Sequence, residues 1–152
     1  MKKNISISSI IFDFGGVILN IDYNKPAEEF EKLGINKFDK YYSQNDQKKL
    51  FDDIEKGTIS PEEFREGFKK ALNTDISDKD FDFAWNSILL DLPEHRIKLL
   101  ENVKTNYRIF LLSNTNEIHY KSYIRQLNTM GYEDFDKIFE KAYFSFRMGL
   151  RK

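Results

Sequence analysis

A single acidic residue that follows an apolar segment is the first candidate for chemistry in this sequence. Asp13 comes directly after the apolar residues 10–12 and shortly before Gly15 and Gly16. A short β-branched run that ends at an acid and a glycine pair is typical of a buried strand ending in a tight turn. In an open parallel α/β sheet, ligands bind outside the carboxyl ends of the strands. Asp13 is therefore expected to face a ligand.

The glycine pair indicates what that ligand is. Glycine permits a sharp turn and a close approach of the backbone to a ligand. Successive backbone N–H groups in such a turn form a concavity that binds anions. We therefore expect Gly15 and Gly16 to form a phosphate site beside the Asp13 carboxylate. The alternative for so short a motif is that Asp13 only shapes the turn, a common role for Asp.

Composition narrows the class of protein. The 152 residues suit one domain with a modest insertion. Lys and Arg number 24 against 25 Asp and Glu, so the net charge of -1 does not favour nucleic acid or an anionic membrane surface as a partner. The absence of Cys excludes disulfides and thiolate metal sites. No apolar stretch approaches the roughly 20 residues of a membrane helix. We expect a cytoplasmic protein with no membrane partner.

Hydrophobic spacing predicts a first strand over residues 5–14 and then a long helical segment. The clearest helix start is Ser60-Pro61-Glu62-Glu63, which combines an N-cap Ser, a Pro at the first helical position and a capping box. We therefore predict a helical cap over residues 23–91, inserted into a core formed by residues 1–22 and 92–152. The helices expected in the cap cover residues 24–33, 38–42, 50–54, 61–72 and 78–88.

The α/β pattern returns after the helical segment. Helix 94–102 is followed by a second strand over residues 107–112, which ends in the small polar residues Ser113, Asn114 and Thr115. A helix over residues 116–130 and a third strand over 142–146 complete the pattern. Polar groups thus follow the first two strands, and the sequence predicts a parallel sheet with a helical cap over the strand ends.

Three motifs carry a resemblance to a known family. They are Phe12-Asp13-Phe14-Gly15-Gly16-Val17, Leu112-Ser113-Asn114-Thr115-Asn116 and Gly149-Leu150-Arg151-Lys152, in this order, with the helical insertion after the first. The set resembles the haloacid dehalogenase (HAD) superfamily of hydrolases, and most of all its phosphatase-related branch with a helical cap. The resemblance implies an α/β fold with a Rossmannoid parallel sheet, incomplete at the C-terminus because the sequence ends at the third motif.

The resemblance also implies roles for individual residues. Asp13 matches the nucleophile that forms an aspartyl-phosphate. Ser113 matches the hydroxyl that bonds the transferring phosphoryl group, which the backbone amide of Asn114 helps to hold. Lys152 matches the lysine that offsets negative charge in the transition state. The implied substrate is a small phosphate ester such as a sugar phosphate.

Magnesium is the cofactor that the resemblance implies. In the family, Mg²⁺ is held by the nucleophile, here Asp13, by the backbone carbonyl two residues later, here Gly15, and by a carboxylate of a fourth motif. Such oxygen ligands suit Mg²⁺. The sequence ends before a fourth motif. We therefore expect this chain alone to bind Mg²⁺ weakly and to hydrolyse phosphate esters poorly.

Position 15 departs from the family pattern. Phosphatases of this branch carry a second Asp there, which protonates the leaving group and then activates water, and this sequence has Gly15. General acid–base catalysis contributes roughly 10²–10⁴ in rate, so a slower or differently assisted reaction is expected. Asp22 is one candidate substitute. Its alternative role is to cap the next helix.

The strands that follow the third motif in the family are absent from this sequence, and their absence suggests that a second copy of the chain is a partner. In the family's sheet they would lie beside the first strand, so we expect an exposed apolar edge over residues 7–14 and self-association through it.

Other functions remain open at this level. A catalytically incomplete fragment, or a binding protein that retains the fold, would also fit Gly15. Dehalogenation is a further activity of the family. A phosphoryl-accepting receiver domain expects an acid pair near the first strand and no helical insertion, and neither is present.

Several further side chains have a functional and a structural interpretation. His119 either lines the pocket or caps a helix at the surface, and Arg147 and Arg151 either contact phosphate or are exposed loop cations. Trp85 either contacts substrate or belongs to a helical core. Asp52 and Asp53 are expected on a solvated helix face rather than in a metal cluster.

Overall fold

The computed structural model describes residues 7–36, 38 and 45–152. Three strands, β1 (Ser9–Phe12), β2 (Arg108–Ser113) and β3 (Lys141–Phe144), form a parallel sheet in the order β1-β2-β3. In the register, Ile10 of β1 lies opposite Ile109 of β2. The predicted parallel α/β sheet is therefore confirmed.

The strand boundaries differ from the prediction, by one residue at each end of the second strand and by more at the carboxyl ends of the first and third. The first strand ends at Phe12, so Asp13 stands directly beyond it, and residues 5 and 6 lie outside the described part of the chain. The third strand ends at Phe144 rather than at residue 146. Phe144 pairs with Ser113, the last residue of β2, so the chain beyond it has no strand to pair with. Ser145 instead begins a one-turn helix.

The helices follow the predicted order, and the main differences are in length. The helix predicted over residues 50–54 is longer in the structure and covers Asn45–Lys56. The predicted helix over residues 38–42 lies almost wholly outside the described residues. The helices are α1 (Lys25–Lys32), α2 (Asn45–Lys56), α3 (Pro61–Leu72), α4 (Asp78–Asn86), α5 (Glu94–Lys104), α6 (Glu117–Thr129) and α7 (Ser145–Met148), with a 3₁₀ turn at Phe135–Ile138.

The start of α3 forms as its sequence predicts. The Ser60 Oγ atom accepts a hydrogen bond from the Glu63 backbone N–H at 3.1 Å, and a Glu63 carboxylate oxygen accepts one from the Ser60 N–H at 2.8 Å. This capping box satisfies two backbone donors at the helix start.

The apolar side chains gather in two clusters. One lies against the sheet and includes Phe14, Leu111 and Phe144, and the other lies among helices α1 to α4 and is built largely from aromatic rings. Ile118 of α6 belongs to the second cluster, so α6 joins the helical segment to the sheet. The carboxyl ends of the strands consequently face the helical segment.

A close backbone contact joins α2 to α7. Gly57, directly after α2, has a φ of 65°, and a Cβ atom at this position would overlap the backbone of Phe146. Only glycine fits both the left-handed conformation and this contact. The end of α2 is therefore held against the segment that follows β3.

Candidate active site

A cavity of about 300 Å³ lies at the carboxyl ends of the strands. Asp13 and Gly15 reach it from the loop after β1, and Ser113 and Asn114 from the end of β2. Lys152 reaches it from the segment after α7. Three segments far apart in sequence thus bring five of the six predicted site residues to one cavity.

Asp13 and Lys152 form an ion pair in this cavity. The Asp13 Oδ1 atom lies 2.6 Å from the Lys152 Nζ atom and accepts a hydrogen bond from the Phe14 backbone N–H at 2.7 Å. Lys152 Nζ also donates to the Leu112 carbonyl at 2.9 Å. The ammonium group is therefore fixed between the ends of β1 and β2. Both side chains remain partly exposed, so a ligand can reach them.

Asn114 holds the backbone of Lys152. Its Oδ1 atom accepts a hydrogen bond from the Lys152 N–H at 3.0 Å, and its Nδ2 atom donates to the Lys152 carbonyl at 3.3 Å. From the sequence, only the backbone amide of Asn114 was expected at the site. The structure adds a side chain that positions the lysine.

The two glycines have different surroundings. Gly15 lines the cavity, whereas Gly16 is not among the lining residues. The Gly16 N–H donates to the Leu19 carbonyl at 2.8 Å, and its φ is 75°. Gly16 thus shapes the turn, and its N–H is already used within that turn.

Ser113, Thr115 and Ser145 are buried polar residues at the ends of β2 and β3. Ser113 is buried, and its Oγ atom lies 3.5 Å from the Asn114 carbonyl oxygen. The Ser145 Oγ atom accepts from the Thr115 N–H at 2.9 Å and donates to the Thr115 carbonyl at 2.8 Å. This reciprocal pair fixes the loop after β2 against the start of α7.

His119 is partly buried and lines the cavity, as its interpretation as a pocket residue expects. Its ring stacks on Trp85 with centroids 5.1 Å apart, and its Nδ1 atom lies 3.0 Å from the Asn86 Oδ1 atom. Burial lowers the pKa of His119 to about 3. The imidazole is therefore neutral at pH 7 and joins α6 to α4.

Asp22 does not line the cavity and has a structural role. Its Oδ1 atom accepts a hydrogen bond from the Asn24 N–H at 2.9 Å, just before α1. The N-cap residue of α1 is Asn24, so Asp22 holds the backbone just before the helix rather than capping it.

Glu55 on α2 is a charged cavity residue that was not expected from the sequence. Its Oε2 atom lies 2.6 Å from the Arg151 Nε atom, and Asp52 Oδ1 lies 3.1 Å from Arg151 Nη1. Arg151 is thus ion-paired to α2 rather than an isolated loop cation. No sequence signal marked Glu55, because it lies in a charged stretch typical of a solvated helix face.

The protonation of Glu55 depends on three influences. Burial raises the pKa of its carboxyl, the Arg151 guanidinium lowers it, and the negative charge of Asp52 raises it. Burial is the largest of these, so the pKa lies above its ordinary value.

The described residues lack two further features. They contain no group of three or more His, Cys, Asp or Glu side chains placed to bind a metal ion. None of the helices in the described part of the chain combines the length and the apolar composition needed to cross a membrane.

Comparison with known proteins places this geometry in a family. No family model matches the chain. A curated D-ribitol-5-phosphate phosphatase from Bacteroides thetaiotaomicron is 31% identical over 110 residues, which cover 72% of this chain and 53% of that protein. The chain thus spans about half the length of this curated relative.

Solved structures match over almost the whole chain. A HAD family enzyme from Bacteroides thetaiotaomicron, in complex with magnesium and inorganic phosphate, is 36% identical with a TM-score of 0.88, covering 97% of this chain and 73% of that chain. A variant of it with an aspartate replaced by alanine, in the same complex, is 34% identical with a TM-score of 0.89 and the same coverage.

A more distant structure agrees. A predicted HAD-like family hydrolase from Porphyromonas gingivalis is 26% identical with a TM-score of 0.79, covering 96% of this chain and 70% of that chain. The fold, the ordered motifs and these similarities lead to one conclusion. The chain belongs to the haloacid dehalogenase (HAD) family of hydrolases.

Proposed function

We propose that this chain carries the phosphoryl-transfer site of a Mg²⁺-dependent phosphatase that acts on small phosphate esters. The observation that carries the proposal is the Asp13 Oδ1 to Lys152 Nζ contact of 2.6 Å in a cavity also lined by Ser113 and Asn114. A carboxylate nucleophile beside a fixed cation and hydrogen-bonding groups is the arrangement that phosphoryl transfer requires.

Each side chain of the site has its own role in the proposed reaction. Asp13 attacks phosphorus, and the ester oxygen leaves as the aspartyl-phosphate forms. Lys152 faces the oxygens on which negative charge accumulates, and Ser113 hydrogen-bonds the phosphoryl group. Asn114 keeps the Lys152 backbone in place through its two hydrogen bonds. Water then attacks phosphorus and releases phosphate from Asp13.

The donor chemistry of the cavity fits magnesium. The Asp13 carboxylate and the backbone carbonyl of Gly15 would hold the ion, and both are hard oxygen ligands in the same cavity. Bound Mg²⁺ neutralises phosphoryl charge and orients the phosphoryl group. The HAD family enzyme from Bacteroides thetaiotaomicron was crystallised with magnesium and inorganic phosphate, which supports this assignment.

The cavity also supports a small organic substrate. Trp85, Ile88 and Leu89 face it from α4 and the residues that follow, so the group esterified to phosphate would lie against them. A volume of about 300 Å³ is at the small end of ligand pockets. The curated relative acts on D-ribitol 5-phosphate, and we propose a sugar or sugar-alcohol phosphate here.

We further propose that residues 23–91 act as the helical cap and residues 1–22 and 92–152 as the core. The separate aromatic cluster among α1 to α4 supports this division. A cytoplasmic location and the absence of nucleic-acid partners remain predictions from the sequence.

Self-association through β1 is also proposed. Among the described residues β1 pairs only with β2, and Ile7 and Ile11 are 67% and 66% exposed. An apolar strand edge of this kind is a template for pairing with another chain. A strictly monomeric protein in light scattering at micromolar concentration would contradict it.

Hydrolysis of an aryl phosphate with Mg²⁺ tests the proposed activity. We expect slow turnover by the wild-type chain and its loss in Asp13→Asn, because the amide cannot act as the nucleophile. Asp22→Asn is the matched control, since Asp22 is a nearby carboxylate that does not line the cavity. Equal rates for the wild type and Asp13→Asn would contradict the proposal. An inactive wild type that still binds phosphate would instead favour a binding protein that retains the fold.

A further inference from the structure

We propose that Glu55, on α2, is the general acid–base of this site. In this proposal its carboxyl group gives a proton to the leaving oxygen of the substrate and later takes a proton from the attacking water. The inference rests on the proposed phosphatase function. It assigns the proton transfers, for which the loop after β1 supplies no acidic side chain at position 15.

The first loop offers no acid for this step. Gly15, two residues after Asp13, has no side chain, and Asp22 is engaged at the start of α1 and lies outside the cavity. An alkoxide is a poor leaving group, so a proton donor contributes roughly 10²–10⁴ in rate. A donor must therefore reach the cavity from another element.

Glu55 and Asp13 are the two carboxyl groups among the described residues that line the cavity. Asp13 is the nucleophile. The remaining titratable lining groups are less suited to proton transfer. His119 has a pKa of about 3 and holds Asn86 through Nδ1, and burial raises the pKa of Tyr123 well above its ordinary value. Tyr23 is 70% exposed.

Two consecutive residues of the third motif connect Glu55 and the nucleophile, which both line the cavity. Arg151 lies against Glu55, and its chain neighbour Lys152 lies against Asp13, with contact distances of 2.6 Å in both pairs. The Gly57 contact with the Phe146 backbone fixes the end of α2, one residue beyond the last turn of the helix. Glu55 is therefore positioned from both its own helix and the third-motif segment.

The carboxyl of Glu55 also has the protonation behaviour of an acid–base group. Its side chain is 25% exposed, and within the described part of the chain its Oε2 atom accepts no hydrogen bond although Arg151 lies beside it. A carboxylate that accepts hydrogen bonds is held in its charged form. Burial is the main influence on Glu55 and raises the pKa of its carboxyl above the ordinary value, which favours the neutral acid.

The two proton transfers balance the reaction. In the first step Asp13 forms a bond to phosphorus, the bond from phosphorus to the ester oxygen breaks, and the Glu55 proton moves to that oxygen to give an alcohol. In the second step the Glu55 carboxylate takes a proton from water as the water oxygen bonds to phosphorus. The bond from Asp13 to phosphorus then breaks, which releases phosphate and restores both carboxyl groups.

Leaving-group dependence separates this role from a structural one. Glu55→Gln should lower kcat for an alkyl phosphate such as ribitol 5-phosphate by about 10²–10⁴. With 2,4-dinitrophenyl phosphate, whose leaving group departs as a stable anion, the same variant should release the first equivalent of dinitrophenolate at the wild-type rate. Turnover should then slow, and phosphorylated protein should accumulate and be detected by mass spectrometry.

Asp52→Asn is the matched control. Asp52 contacts the same Arg151 from the same helix but does not line the cavity. We expect this variant to turn over both substrates near the wild-type rate, with both variants checked for folding by circular dichroism.

Three results would overturn the inference. An unchanged alkyl phosphatase rate in Glu55→Gln would remove the role of Glu55 while leaving the proposed function intact. A first turnover of dinitrophenyl phosphate slowed as much as the alkyl reaction, or an equal loss in Asp52→Asn, would make Glu55 a structural partner of Arg151. No turnover of either substrate by the wild type would remove the proposed function and the inference together.

Discussion

Replacing Gly57 by alanine should destabilise the protein far more than the same change at Gly34. Both glycines have a left-handed backbone, with φ of 65° at Gly57 and 84° at Gly34. A Cβ atom at Gly34 would have no neighbour within 4 Å, whereas at Gly57 it would overlap the Phe146 carbonyl group. The two sites therefore share the conformational penalty and differ in the steric one.

The magnitudes follow from these two terms. A left-handed non-glycine residue costs about 1–2 kcal/mol, which is the expected loss for Gly34→Ala. Overlap with packed atoms adds about 1–3 kcal/mol, so Gly57→Ala should lose about 2–5 kcal/mol in free energy of unfolding. The neighbour is backbone rather than the end of a flexible side chain, so α2 and α7 must separate to relieve the overlap.

Urea unfolding of the two variants beside the wild type measures the difference. If α2 shifts away from α7, Gly57→Ala should also have a lower kcat, because Glu55 and Arg151 are held across the same contact. Equal losses of stability in the two variants would show that the contact between α2 and Phe146 is not closely packed, and the argument from the overlap would fail.

Two further predictions concern the charged and buried groups of the site. Lys152→Gln should lower kcat by about 10²–10³ in the aryl phosphate assay. The same change should lower the free energy of unfolding by no more than about 1 kcal/mol, because the ion pair is partly exposed and screened. His119 has a pKa of about 3 in the folded protein, so the unfolded chain binds more protons as the pH falls below about 6.5. Stability therefore decreases as the pH is lowered. Between pH 6.5 and 5 this loss amounts to roughly 1–2 kcal/mol, which His119→Phe should lack in urea unfolding at both pH values.

The sequence was sufficient to predict the cavity residues that follow strands. Asp13 and Ser113 come directly after or at the end of buried apolar runs, and the parallel sheet brings such positions to one edge. The capping box at Ser60 was equally predictable, because its hydrogen bonds join residues three apart in the chain.

The contacts that the sequence did not predict depend on how distant elements pack. Glu55 meets Arg151 only because α2 ends against the Phe146 backbone, and nothing near Glu55 in the sequence encodes that contact. The burial of His119 likewise depends on the packing of α6 against Trp85 of α4. The end of β3 was misplaced because it depends on where its partner β2 stops.

The most direct test of the account is to trap the phosphorylated residue. The protein would be quenched in acid during turnover of an aryl phosphate with Mg²⁺, reduced with borohydride, which converts an aspartyl-phosphate to homoserine, and mapped by mass spectrometry. The account predicts homoserine at position 13, and none in the Asp13→Asn variant. Modification at another residue, or steady turnover with Asp13 unmodified throughout, would contradict the claim that Asp13 is the nucleophile.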